Sequence, residues 1–276
     1  MSPTPRALLL ALPALAILSV AFLWPLVKLM MLSLSASAGP LSAYHEILGD
    51  DVYRHVFVNT FVFALVVTAV ALVIAYPIAF ALTRLSFGWR AALFACVLFP
   101  LWISVLVRTF SWMLLLEKNG PINRVLIGSG LIDTPLPLLF NSAGVLIGMV
   151  HVLLPYAVLP IYAALIRIDP ALLRASEGLG ASPITTFWRV LLPLSARGIA
   201  TAATFVFLLS LGFFVTPMLL GGSANLTLSM LIESLVNERL NWPLAAAGSM
   251  VLLAASLLIL AVAGRFVPVR TLAEAR

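Results

Sequence analysis

Few side chains in this chain could do acid–base, nucleophilic or metal chemistry, and their spacing does not support it. His45 and His55 show no metal-ligand spacing, and His151 stands alone in an apolar run. Cys96 is the only cysteine, which excludes a disulfide within the chain and a thiolate metal site. Ser104 and Ser111 have no base at helical spacing, so neither is equipped as a nucleophile. No glycine-rich phosphate loop ending in Lys-Ser or Lys-Thr is present, so ATP has no such cradle here. These observations predict a non-catalytic protein without a cofactor or metal. The chemistry that remains is electrostatic. Arg108 lies inside an apolar run, where a charge is expensive and is either paired or functional. It either snorkels outward or meets Glu117, or it gates a pathway. Trp102, Trp112, Tyr156, Phe213 and Phe214 could offer faces to a passing cation. With Arg108 they form the candidate lining of a translocation pathway. His151 is expected to be a hydrogen-bonded packing residue.

The elements that must position these residues are apolar helices. Hydrophobic residues make up 63% of the chain and charged residues 9%, against about 25% charged in soluble domains. A helix needs about 20 apolar residues to cross a bilayer. Six runs qualify: Ala7–Leu34, Phe57–Leu82, Ala91–Leu116, Leu138–Ile166, Gly198–Leu220 and Trp242–Val267. Ala36-Ser37-Ala38 resembles a leader cleavage site. The first run, however, far exceeds the roughly 7–15 residues of a leader's apolar core, and is read as a span. Pro77, Pro100, Pro155, Pro160 and Pro217 fall in or near the runs as kinks that neighbouring helices can accommodate. The expectation is an all-α, multi-pass membrane protein in which residues 1–276 form a single transmembrane domain.

The charges orient it. With both ends inside, Arg6, Arg84, Arg90, Arg167, Arg174, Arg189, Arg197, Arg265, Arg270 and Arg276 lie on one side. Arg54, Lys118, Arg124 and Arg239 lie on the other. The acids reverse this: only Asp169, Glu177 and Glu274 accompany the basic side. Basic residues favour the cytoplasmic side of a membrane, so both termini are expected there. The net charge of +6 is therefore an orientation signal and not one for nucleic acid.

The connection over 167–197 carries helical punctuation of its own. Asp169-Pro170 reads as an N-cap followed by proline at the first helical position. Gly180 is a natural left-handed stop, and Ser182-Pro183 repeats the start signal. Ile184, Phe187, Trp188 and Leu191 follow at helical spacing, and Pro193 marks a bend back into the membrane. Two short amphipathic helices at nearly a right angle are expected.

The residue order in this connection resembles the cytoplasmic signature loop of ABC importer permeases. The match is Arg174-Ala175-Ser176-Glu177-Gly178-Leu179-Gly180-Ala181, then Phe187-Trp188-Arg189-Val190-Leu191-Leu192-Pro193. Two positions depart from the pattern: Arg174 replaces the leading glutamate and Ser176 the second alanine. Glu177, nearly a turn on, is a candidate for the missing charge. Further stretches are similar to the spermidine/putrescine-type permeases, and to the first of that system's two. They include Phe99-Pro100-Leu101-Trp102, Val107-Arg108-Thr109, Asn119-Gly120, Pro155-Tyr156, Leu159-Pro160-Ile161-Tyr162 and Thr216-Pro217.

The resemblance implies a six-helix type I importer fold with a coupling helix on its cytoplasmic loop, in a bacterial inner membrane. It implies three kinds of protein partner: a cytoplasmic ATPase dimer, a second permease and a periplasmic binding protein that delivers the solute. The implied function is the channel of an ATP-driven importer for polyamines or a related small solute. The coupling residues it implies are Arg174, Ala175, Ser176, Glu177, Gly180, Ala181, Ser182 and Phe187. At Gly180 a side chain is expected to meet both steric and backbone strain. Lys118–Pro137 and Leu228–Glu238 either meet the binding protein or pack at the interface. The rival reading is an ion-coupled secondary transporter. It calls for an inverted repeat and ionisable groups near mid-membrane, and neither is visible.

Overall fold

The computed structural model describes residues 5–222 and 226–266, with side chains given from residue 12 to residue 265. Arg270, Glu274 and Arg276 of the charge count, and the last residue of the sixth run, lie outside the described residues. In chain order the elements are α1 (Pro5–Ser33), α2 (Ser42–Gly49), α3 (Asp51–Arg84), α4 (Phe87–Leu98) and a 3-10 turn (Phe99–Trp102). Then come α5 (Val105–Leu116), α6 (Pro121–Gly128), α7 (Ser142–Leu165), α8 (Pro170–Gly178), α9 (Pro183–Thr186) and a π turn (Phe187–Leu191). The chain continues with α10 (Leu192–Gly212), α11 (Val215–Leu220), α12 (Leu228–Asn237) and α13 (Trp242–Phe266).

Among the described residues five helices are long and apolar enough to cross a bilayer, and a bent pair, counted as one span, brings the number to six. Two predicted spans need correction. The third, Ala91–Leu116, is not one helix: it breaks after the 3-10 turn, and its two arms bend by 107°. Pro100 opens that turn, and Ile103 at its end is extended. The fifth, Gly198–Leu220, begins earlier and ends sooner than predicted. One helix runs from Pro183 to Gly212, and α11 follows a break at Phe213–Phe214. Pro193 does not bend the chain back, because the π turn absorbs it. Leu192 N–H reaches Phe187 C=O, five residues back. This wider turn draws the carbonyls away from a proline ring that would otherwise clash with one of them.

The described residues form two compact units, one within 5–55 and 231–254, the other within 56–222, 226–230 and 255–266. In the first, Ala43, Ile47, Leu235 and Ala245 are buried. Ser33 Oγ and Tyr44 OH share a 2.6 Å hydrogen bond. Leu15, Ile17 and Phe22 of α1 are exposed, as suits a helix facing lipid hydrocarbon.

The second unit is built around α7, which has 61% of its most apolar window buried. Ala71, Ala75 and Ala79 of α3 are fully buried at a spacing of four, and such small side chains let backbones approach closely. Gly198 of α10 sits against Ala164 and the Pro160 carbonyl of α7. Gly148 of α7 sits against Thr216 and Leu220 of α11. Thr109 of α5 and Thr216 share a buried 3.1 Å hydrogen bond. Two of these contacts, at Gly148 and at Thr109, fix α11 after its break.

Candidate functional site

Local punctuation shapes the loop. Asp169 caps α8 by accepting from Ala171 N–H at 2.8 Å. At the other end Gly180 adopts φ +79°. Its N–H donates to Glu177 C=O at 2.9 Å, and Ala181 N–H donates to Ser176 C=O at 3.1 Å. These two bonds satisfy carbonyls that the helix end would otherwise leave open. Ser182 caps α9, accepting from Thr185 N–H at 3.2 Å. α8 and the start of the helix that follows it are tied by Ser176 Oγ and Thr186 Oγ1 at 2.9 Å. Among the described residues, its two chain neighbours aside, nothing lies within 4 Å of a Cβ built on Gly180. A side chain there would meet the expected backbone strain, but the described residues beyond the chain neighbours supply no steric obstacle. Leu179 and Ile184 on either side are 89% and 72% exposed.

Of the predicted coupling residues, Arg174, Ala175, Glu177, Gly180 and Ser182 are exposed, while Ser176, Ala181 and Phe187 are partly buried. Phe187 faces inward. It packs edge-on to Tyr76 of α3 with ring centroids 5.5 Å apart, and Tyr76 OH meets Ser195 Oγ at 3.0 Å. Behind the loop lies a cavity of about 360 Å³ lined by Arg84, Arg174, Glu177, Phe80 and Leu173. The Arg84 guanidinium carbon stands 5.3 Å from the Phe80 ring centroid. Arg174 and Glu177 thus share one wall. Sequence reasoning missed Tyr76 and Arg84, although a lone tyrosine within an apolar run was a usable signal.

A second cavity, of about 270 Å³, is lined by Arg108, Tyr156, Phe213, Phe214, Leu209 and Val152 among others. Four of the six predicted pathway residues therefore meet on one surface. It lies beside the break between α10 and α11, where Phe213 is extended. Irregular backbone within a membrane is tolerated where it is buried in protein or lines a cavity. Arg108 Nε and Nη1 are buried without a hydrogen-bond partner, and Glu117 forms no ion pair with it among the described residues. The pairing alternative for Arg108 therefore does not hold. Leu209, Gly212 and Val215 were missed, since apolar residues in apolar runs carry no distinguishing signal.

The other two predicted residues stand apart from this cavity. Trp102 belongs to the 3-10 turn and is 79% exposed. Trp112 Nε1–H donates to His151 Nδ1 at 3.1 Å, with the rings edge-on at 5.4 Å. His151 is thus a packing residue held by a hydrogen bond. Replacing Trp112 with phenylalanine keeps the ring contact and removes the donor. It should lower stability by about 1 kcal/mol, read as a lower Tm of the purified complex in detergent, whereas Trp112→Ala should cost more.

The outer segments are pinned to the chain itself. Buried Asn123 donates to Leu136 C=O at 3.0 Å and accepts from Leu136 N–H at 2.9 Å. Leu228, Leu231 and Leu235 of α12 are buried, which takes most of that apolar face out of play for a partner.

Residues 58–269 match the family described as binding-protein-dependent transport system inner membrane component. The chain is 34% identical over 212 residues to the spermidine/putrescine transport system permease protein PotB of Escherichia coli, covering 77% of each protein. The Haemophilus influenzae protein of the same name is 34% identical over 202 residues, covering 73% of this chain and 71% of that one. In three dimensions the chain is similar to a chain of a bacterial ABC transporter involved in import of the acidic polysaccharide alginate. The TM-score is 0.76 at 19% identity, with 96% of each chain covered.

Proposed function

The chain belongs to the family of binding-protein-dependent transport system inner membrane components, and from that premise we propose that it forms half of the channel of an ATP-driven polyamine importer. The chain is a multi-pass, non-catalytic permease. In the proposed complex it pairs with a second permease, stands on a cytoplasmic ATPase dimer and receives spermidine, putrescine or a related small solute from a periplasmic binding protein. The 34% identity to the spermidine/putrescine permeases supports that choice of solute. Both termini face the cytoplasm, as the basic residues favour.

The observation that carries the importer reading is the loop on 167–197. A left-handed glycine joins two capped helices and presents Leu179 and Ile184 outward. Exposed apolar residues on a rigid, hydrogen-bonded turn suit docking into a groove of another protein. ATP binding closes the ATPase dimer and draws the two docked loops together. The bundles then rock to open outward, and hydrolysis reverses the movement. Solute passes the cavity lined by Arg108, Tyr156, Phe213 and Phe214. The ion-coupled alternative has no observation in its favour.

The test is reconstitution with the cognate ATPase, second permease and binding protein. ATP-dependent accumulation of labelled spermidine or putrescine is expected. Absence of any co-purifying ATPase would overturn the importer reading. A working complex whose binding protein ignores polyamines would overturn the choice of solute alone.

A further inference from the structure

The Arg108 cavity has an electrostatic character at odds with simple passage of a cation. Arg108 is the only charged residue among those lining it, and Tyr156 supplies the only other polar side chain. The guanidinium Nε and Nη1 are buried and reach no acceptor among the described residues. A positive charge so placed is neither paired nor bathed in solvent on those atoms, so its field acts on whatever enters. A second cation entering a space of about 270 Å³ comes within a few ångströms of it, where repulsion in a protein interior far exceeds that in water. A fixed arginine excludes protons and metal cations from narrow pores by this effect.

We propose that Arg108 is an electrostatic seal that keeps this half-channel closed to small cations between transport cycles. The proposal rests on the reading of this cavity as part of the solute route. The rest of the lining is aromatic and aliphatic, including Tyr156, Phe213, Phe214 and Val152, so no carboxylate there offsets the repulsion. A polycationic solute is rejected in this state along with sodium, potassium and protons. It passes when the two permeases part around it, because water then screens Arg108 and leaves the rings of Tyr156, Phe213 and Phe214 for its ammonium groups. Backflow of imported solute is resisted by the same charge. The acid-free apolar runs and the unpaired arginine thus serve one purpose, which is to hold a membrane potential across a protein that must open every cycle.

The test is passive ion flux through the complete complex in proteoliposomes, with neither ATP nor binding protein present. Wild type should pass less rubidium than chloride. Arg108→Gln should raise rubidium leak at least tenfold, corresponding to a barrier about 1.4 kcal/mol lower, and Arg108→Lys should stay near wild type. Arg108→Met, a second neutral chain of similar length, should behave as Arg108→Gln. A neutral variant that assembles and leaks no more than wild type overturns the proposal, and so does a lysine variant that leaks like glutamine. Where neither neutral variant assembles, the wild-type ratio decides: rubidium in excess of chloride overturns the seal. These fluxes involve no solute and no ATP, so their outcome is separate from that of the uptake experiment.

Discussion

Gly180→Arg should leave the chain inserted in the membrane while ATP-driven uptake collapses and the ATPase no longer co-purifies. Gly180 holds φ +79°, a conformation that costs an ordinary L-residue about 1–2 kcal/mol. That strain acts on a nine-residue helix end and cannot unfold the apolar bundle. The larger effect comes from outside the chain, because no described residue beyond its chain neighbours approaches the Cβ position, which lies between exposed Leu179 and Ile184. A long cation there would be buried unpaired on docking, at about 3 kcal/mol or more, roughly a hundredfold in affinity. Gly180→Asn separates the two terms. Asparagine enters the left-handed region more readily than most residues, so a strain effect should shrink while a docking effect persists. Membrane fractionation, pull-down of the ATPase and solute uptake are the readouts. Normal uptake by the arginine variant would remove the docking role.

Gly198→Leu should be the most damaging single change to the fold. A Cβ on Gly198 would lie 2.8 Å from the Pro160 carbonyl oxygen and closer still to Ala164. Backbone cannot retreat as a flexible side chain can, so α7 and α10 would have to separate. Overpacking typically costs about 1–3 kcal/mol, and this site belongs at the upper end. The expected result is a fall in Tm and in yield of folded protein from detergent. Gly264→Leu is the control, since it places the same side chain in α13 with nothing among the described residues packed within 4 Å of its Cβ. It should leave Tm unchanged. Equal Tm for the two variants would show that the α7–α10 contact is not tight.

What could be read from the residues alone was local. Asp169, Gly180 and Ser182 announce caps because each acts on backbone groups two to five residues away, and no distant contact is needed to recognise them. Apolar length announced the spans for the same reason. Prolines were ambiguous, because their effect depends on the backbone around them. Pro193 was expected to bend the chain, yet a π turn carries the helix through it. Pro217 was expected only to kink a span, yet it lies in the first turn of α11, after the helix has stopped. It has no N–H to offer Phe213 C=O, which is a physical reason for the break at that position. Arg108, Tyr156, Phe213 and Phe214 could be chosen by type. That they share one surface, and that Trp112 turns instead to His151, depends on helix packing that no local pattern records.

The uninterrupted helix from Pro183 to Gly212 has a mechanical consequence. At 1.5 Å per residue its 30 residues make a strut of about 45 Å. One end starts at the capped turn beside Ala181, and the other stops where Leu209 and Gly212 border the cavity. A strut without a hinge passes a push along its axis undiminished. A displacement of a few ångströms at the foot therefore arrives at the crown as the same displacement. Wall and foot are in this sense one moving part, continuous through the wider winding at Phe187–Leu191.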